Sequence, residues 1–164
     1  MNKKKLIFSY VLQLLSVATL AITFMPIIKV PGQSLSVMEI VLDTGNWVDM
    51  EEYLFGIAGL ISIICCPLLL VGAELTKLSA CGVINNKKFD LVIYIINIVV
   101  ASLIVGVVVN YFLGLGRTIG MSGLKLFQGT TWFSYTTAFF YLHTIFSITM
   151  LVVAILDKNK KAVK

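Results

Sequence analysis

Charge is what this 164-residue chain has least of. Asp, Glu, Lys and Arg make up 13% of it, against about 25% in a soluble globular chain. The deficit is concentrated in four blocks, Leu6 to Ile28, Tyr53 to Ala73, Leu91 to Gly116 and Leu126 to Leu156, none of which holds a single Asp, Glu, Lys or Arg. A soluble domain of this length has no use for four such blocks. Each is at least as long as the roughly 20 residues that carry a helix across a hydrocarbon core of about 30 Å. The blocks therefore predict an all-α membrane protein, a four-transmembrane-helix bundle forming a single integral membrane domain, with helices over about 6–28, 53–73, 91–115 and 132–156.

Metal-binding and catalytic residues are scarce as well. One histidine, His143, and three cysteines, Cys65, Cys66 and Cys81, show no ligand spacing, so no metal and no cofactor is expected. Membrane disulfide oxidoreductases use Cys-x-x-Cys pairs near the outer surface, whereas Cys65 and Cys66 are adjacent and lie within a block. The acids Asp49, Glu51 and Glu52 have no histidine or basic partner nearby in sequence, and the expectation is a protein that is not an enzyme. No loop between the first and second or third and fourth blocks contains cysteine, and no Asn-x-Ser/Thr sequence occurs anywhere. Both features favour a bacterial plasma membrane over a eukaryotic secretory route.

The charges that remain are sorted by side. Ten of the thirteen basic residues flank block ends that would share one face: Lys3, Lys4, Lys5, Lys77, Lys87, Lys88, Lys158, Lys160, Lys161 and Lys164. The positive-inside rule makes that face cytoplasmic and, with it, both termini. The first outer loop instead carries Glu39, Asp43, Asp49, Glu51 and Glu52 against Lys29 alone. The lysines form short clusters without aromatic interleaving, so their partner is the anionic surface of the lipid bilayer and not nucleic acid. Asn2 to Lys5 followed by an apolar run has the outline of a secretory signal, but the run is too long for a signal core and reads as a retained first helix.

The chain divides into halves of like order, about 1–73 and 91–156, each a helix, an outer loop and a helix. Lys29, Gly32 and Ser34 recur 88 positions later as Arg117, Gly120 and Ser122, in the same register. Each loop then carries a short apolar stretch, a glycine and a tryptophan. In the first, Ile27 to Val30 reads as an extended piece, and Ser36 with Glu39 as a capping box that starts a short helix. Val37, Ile40 and Val41 share a face that would lie on the membrane surface. Trp47, Tyr53, Trp132, Phe133 and Tyr135 would form an outer aromatic belt. The acidic first loop could dock on the second, with Lys29, Arg117 or Lys125 meeting Asp43 or Glu51.

Polar side chains inside the blocks mark faces turned away from lipid. Ser9, Gln13, Ser16, Thr19 and Thr23 share one face of the first helix. Gly56, Gly59 and Ser62 start a small-residue seam on the second, and Ser102, Gly106, Asn110 and Gly114 form one on the third. Asn97 faces another way. His143, roughly 16 Å past Trp132, would lie near the bilayer midplane, with Ser147 one turn on. Gln13, Asn97, Asn110, His143 and Ser147 are the candidates for a polar interior or pathway. Pro67 withholds the amide that would bond the carbonyl of Ile63 and predicts a bend in the second helix.

Four helices, cytoplasmic termini and a larger first outer loop ending in Gly45-Asn46-Trp47 resemble the claudin and tetraspan class in layout. That family follows its Gly-Leu-Trp with two loop cysteines, which this chain lacks, so the resemblance implies no site residue. The remaining expectation is a protein that works through helix association, as an accessory subunit, sensor or immunity-type partner of a membrane complex. Its partner would be a second copy or another membrane protein. The alternative is a small oligomeric channel or transporter. The topology is tested by cysteine labelling from outside intact cells: Asp43→Cys should react with an impermeant maleimide and Asn85→Cys should not, and the opposite pattern inverts the orientation.

Overall fold

The computed structural model describes residues 2–30, 33–42, 50–118 and 136–157. Its elements are α1 (Lys3–Ile22), β1 (Pro26–Val30), β2 (Gln33–Ser36), α2 (Val37–Leu42), α3 (Met50–Ala80), α4 (Lys87–Thr118) and α5 (Ala138–Leu156). The four long helices are long and apolar enough to cross a membrane. Around the bundle α1 packs on α3, α3 on α4, α4 on α5 and α5 back on α1. Large apolar side chains such as Leu14, Leu68, Leu103 and Ile145 point outward, while Ser9, Ser16, Ser62, Asn97 and His143 are buried. That inversion of the soluble pattern suits an apolar surrounding.

Helix ends depart from the apolar blocks for local reasons. Asn2 accepts the Lys5 N–H at 3.3 Å and starts α1 within the basic cluster. The helix stops at Ile22, short of the expected Ile28, because Pro26 has no N–H to continue it and disfavours a helical residue before it. Ile27 and Ile28 are apolar for a different reason: they lie in β1, 1% and 6% exposed, in the core. The helix expected from Trp132 begins only at Ala138, since Thr136 and Thr137 are extended and bonded to β1. Conversely α3 and α4 run past their blocks into Lys77 and Arg117, because helical hydrogen bonding does not end where hydropathy falls. A Schellman arrangement closes α3: Gly82, at φ +82°, donates to Ser79 O at 3.0 Å and Val83 N–H to Leu78 O at 3.0 Å. Asn86 then accepts from Lys88 N at 3.0 Å and opens α4.

The first loop is a built structure. β1 and β2 pair antiparallel, with Val30 opposite Gln33 and Lys29 opposite Ser34, and an irregularity at Ile27. Ser36 N–H donates to Glu39 Oε2 at 2.6 Å while Glu39 N–H donates to Ser36 Oγ at 3.1 Å, which completes the expected capping box. Those two bonds, the backbone one foremost, hold the Glu39 carboxyl below its ordinary range. Val37 and Val41 do not lie on an outer surface as expected. They are buried on α3 against Gly59, where no side chain keeps them off.

The loop also ties the chain's halves together. Ile28 bridges Thr136, Thr137 N–H donates to Ile27 O at 3.2 Å, and Thr137 Oγ1 donates to Pro26 O at 2.5 Å. The first loop thus meets the two residues before α5 through backbone groups and the Thr137 hydroxyl. The charged side chains expected to mediate the docking, Arg117, Lys125, Asp43 and Glu51, lie outside the described side chains, as do those of the aromatic belt, Trp47, Tyr53, Trp132, Phe133 and Tyr135.

A Cβ built on Gly59 would come within 2.6 Å of Val41 Cγ2 and 2.8 Å of Val37 Cγ1, whereas one on Gly106 meets nothing within 4 Å. Gly59→Ala should therefore lower stability by about 1 to 3 kcal/mol. Gly106→Ala should change it by less than about 0.5 kcal/mol. Thermal unfolding of the two variants in the same detergent checks the contrast.

Candidate functional site

α1 turns one polar stripe toward α3. Ser9 Oγ donates to Ala73 O at 2.9 Å and Ser16 Oγ donates to Cys66 O, so two hydroxyls settle on α3 carbonyls either side of Pro67. Thr19 and Thr23 are buried on the same face, and Thr23 Oγ1 turns back to Leu20 O at 2.6 Å. Gln13 sits at the margin, half-buried, with Nε2 enclosed and without a hydrogen-bond partner. Pro67 itself lies on the outer side of α3, which continues through it.

His143 is buried and forms the link across the bundle, from α5 to the diagonally opposite α3. Its Nε2 is 3.4 Å from Ser62 Oγ and its Nδ1 3.5 Å from Ser147 Oγ. Ser147 spends its own proton on His143 O at 2.7 Å, so its oxygen is left to accept from Nδ1–H, and Ser62 donates to Nε2. One neutral tautomer satisfies both contacts. The edge of Tyr111, on α4, closes the site at 6.2 Å between ring centroids. Because α5 begins at Ala138, His143 is only about 8 Å along it, nearer the hairpin end than the midplane position the sequence suggests. An imidazole held by two hydroxyls, with no carboxylate bonded to it among the described residues, serves as a polar tie between helices.

Asn97 occupies a separate place on the α3–α4 seam. Its Nδ2 donates to Thr76 Oγ1 at 3.1 Å and lies 3.5 Å from Gly72 O, while Oδ1 presses on Gly72, where a Cβ would have no room. Gly72 was not apparent as a contact point in the sequence. Its signal is that it lies one helical turn before Thr76, on the face that meets Asn97.

The expected α4 seam faces the other way. Ser102, Gly106 and Asn110 are all exposed on the bundle exterior, and the inward row is Ile93, Asn97, Ala101, Ile104, Val108 and Tyr111. Asn97 and Ser102 lie about 140° apart around the helix, so only one of the two rows can meet α3, and the Asn97 row wins by pairing its amide. Gly56 and Gly59 are buried as the second-helix seam requires, but what fills the space at Gly59 is α2. Lys29 and Ser34 are exposed partners across the hairpin. Arg117 lies in the last turn of α4, a helical position where its counterpart Lys29 is in a strand. Gly32, Gly120 and Ser122 lie outside the described residues, and Gly114 is described only in its helical backbone.

A fourth polar group, not anticipated from sequence, gathers all four long helices at the end opposite the hairpin. Lys5 Nζ of α1 donates to Ser79 Oγ of α3 at 2.8 Å and meets Asp90 Oδ1 of α4 at 3.0 Å, and Ser79 donates to Asp90 as well. Asp157, at the C-terminus of α5, is 8% exposed, like Lys5, and its Oδ1 has no hydrogen-bond partner. Asn2 N–H donates to Ala80 O at 2.9 Å alongside, and Tyr94 OH to Ile155 O at 3.3 Å. Lys5, Asp90 and Asp157 each read in sequence as flanking charge; only the convergence of helix ends makes them neighbours.

No family model matches the chain, and comparison with curated proteins and with solved structures finds no match.

Ser62→Ala should lower thermal stability by about 1 kcal/mol, because Nε2 of His143 is left buried without a partner. Adding His143→Leu should restore most of that loss, since both polar partners are then gone. Unfolding of the single and double variants in detergent measures the difference, and a double variant less stable than the single one contradicts the tie.

Proposed function

We propose that this chain is a non-enzymatic, multi-pass protein of a bacterial plasma membrane, with both termini cytoplasmic, that works through helix association. Its role is that of an accessory subunit, sensor or immunity-type partner in a membrane complex, and its partner is a membrane helix of another protein or of a second copy. The two helix–loop–helix halves are read as copies at the level of element order, supported by the basic-Gly-Ser spacing of their loops.

The observation that carries this reading is the exterior row Ser102, Gly106 and Asn110 on α4. Small residues at four-residue spacing allow a second backbone to come close, and an amide on a surface facing hydrocarbon gains a hydrogen bond when a partner helix covers it. Neither feature is used inside the bundle, where α4 presents its other face.

The channel or transporter reading has in its favour the enclosed polar atoms without a partner, Gln13 Nε2, Thr19 Oγ1 and Asn97 Oδ1. Against it, the interior polar residues pair off in separate places: Asn97 with Thr76, His143 with Ser62 and Ser147. Asn110 faces outward. Helix association accounts for more of these residues.

A photoreactive residue in place of Ser102, activated in native membranes, should crosslink to a protein. Gly106→Ile should reduce that product at least tenfold while leaving the thermal midpoint of the purified protein unchanged, since the added side chain meets open space. Crosslinking to lipid alone, or a yield indifferent to Gly106→Ile, overturns the reading.

A further inference from the structure

The cluster at the ends of the four helices pairs Lys5 with one carboxylate, Asp90, and leaves a second, Asp157, near enough to feel both charges but outside ion-pair distance of the lysine. Asp90 receives both the Lys5 ammonium and the Ser79 hydroxyl. Asp157 is more enclosed than Asp90, yet has an oxygen with no hydrogen-bond donor. It also sits at the C-terminus of α5, where the carbonyl end of the helix dipole opposes a negative charge. An enclosed carboxylate with an oxygen that lacks a donor, at a helix C-terminus and near an acid that already holds the buried cation, is better accommodated with a proton than without one.

We propose that Lys5, Ser79, Asp90 and Asp157 form a proton-operated clasp, closed when Asp157 is protonated and loosened at the α5 end when it ionises. The charged groups that face Asp157 are few. α1 brings Lys5 and Lys4, which favour ionisation, and α4 brings Asp90, which opposes it. On α3, the Ser79 hydroxyl is bonded to Lys5 and Asp90, and Glu74 and Lys77 are paired with each other at 3.2 Å beside the Tyr10 ring. Lys158, the next residue, lies outside the described ones. Burial is the largest influence and pushes the Asp157 carboxyl up from 3.8 to about 6.

The sign follows from linkage. The closed end binds the proton more tightly than a water-exposed Asp157 does, so falling pH closes the clasp and rising pH through about 6 loosens it. Between pH 7.5 and pH 5 the ratio of closed to open ends should rise about tenfold. The inference stands independently of the association reading, because it concerns the opposite end of the bundle from the loops and makes no use of the exterior α4 row.

The test uses the full chain in lipid vesicles with spin labels on native Cys81, which is exposed one residue beyond α3, and on Leu156→Cys, replacing an exposed side chain at the end of α5. The wild-type distance distribution should be narrow at pH 5 and should broaden toward longer distances at pH 7.5. Asp157→Asn, a neutral isostere, should hold the narrow distribution at both values, and Asp90→Asn, which frees Lys5 for Asp157, should move the transition to lower pH. The thermal midpoint of the unlabelled protein should be higher at pH 5 than at pH 7.5 in the wild type and flat in Asp157→Asn. A wild type indifferent to pH by both measures, or a transition that persists in Asp157→Asn, overturns the clasp.

Discussion

Close approach to α3 is the constraint on which the rest of this structure depends. Four kinds of partner reach its surface at positions where the side chain is small. α2 sets Val37 and Val41 on Gly59, α1 sets serine hydroxyls on the carbonyls of Cys66 and Ala73, α4 presses Asn97 on Gly72, and α5 reaches Ser62 with His143. In an apolar surrounding helices gain little from burying more apolar surface against one another. What holds them is packing at short range and hydrogen bonds that would otherwise go unmade. Glycine, alanine and serine on α3 supply both, by removing bulk and by exposing backbone carbonyls to neighbouring hydroxyls.

The same physics explains how the polar residues are distributed. Polar ties between elements are spaced along the bundle: the hairpin against Thr136 and Thr137, His143 beneath it, Asn97 further along, and the Lys5 cluster at the far end. The apolar core divides correspondingly into a group around Ile27, Val37, Tyr111 and Phe140 and a group around Leu12, Cys66, Ile104 and Met150. Spaced ties fix rotation and register of helices whose apolar surfaces alone would allow sliding.

Much of this was legible along the chain. The four blocks announced four long helices, and Ser36 with Glu39 announced the start of α2, because capping is local and needs only residues three apart. The polar stripe of α1 was visible as a face for the same reason. What was misplaced involved competition between faces. Ser102, Gly106 and Asn110 make a seam by spacing, but so does the row through Asn97 and Ala101, and spacing cannot say which one α3 selects. Gly72 carries no pattern of its own and matters only because an amide on another helix reaches it.

By itself the sequence determined that the chain forms four long apolar helices, that basic residues gather at one set of their ends, and that a capped helical turn lies in the first loop. These follow from composition, helical periodicity and bonds between near neighbours. Only the tertiary structure decided that the end of the first block is a strand against Thr136, that α2 is buried on Gly59, and which row of α4 faces out. It also decided that Lys5, Ser79 and Asp90 meet, with Asp157 nearby. Each of these depends on contact between residues distant along the chain, and the winner among alternative faces is set by which polar groups can be paired when four helices are brought together.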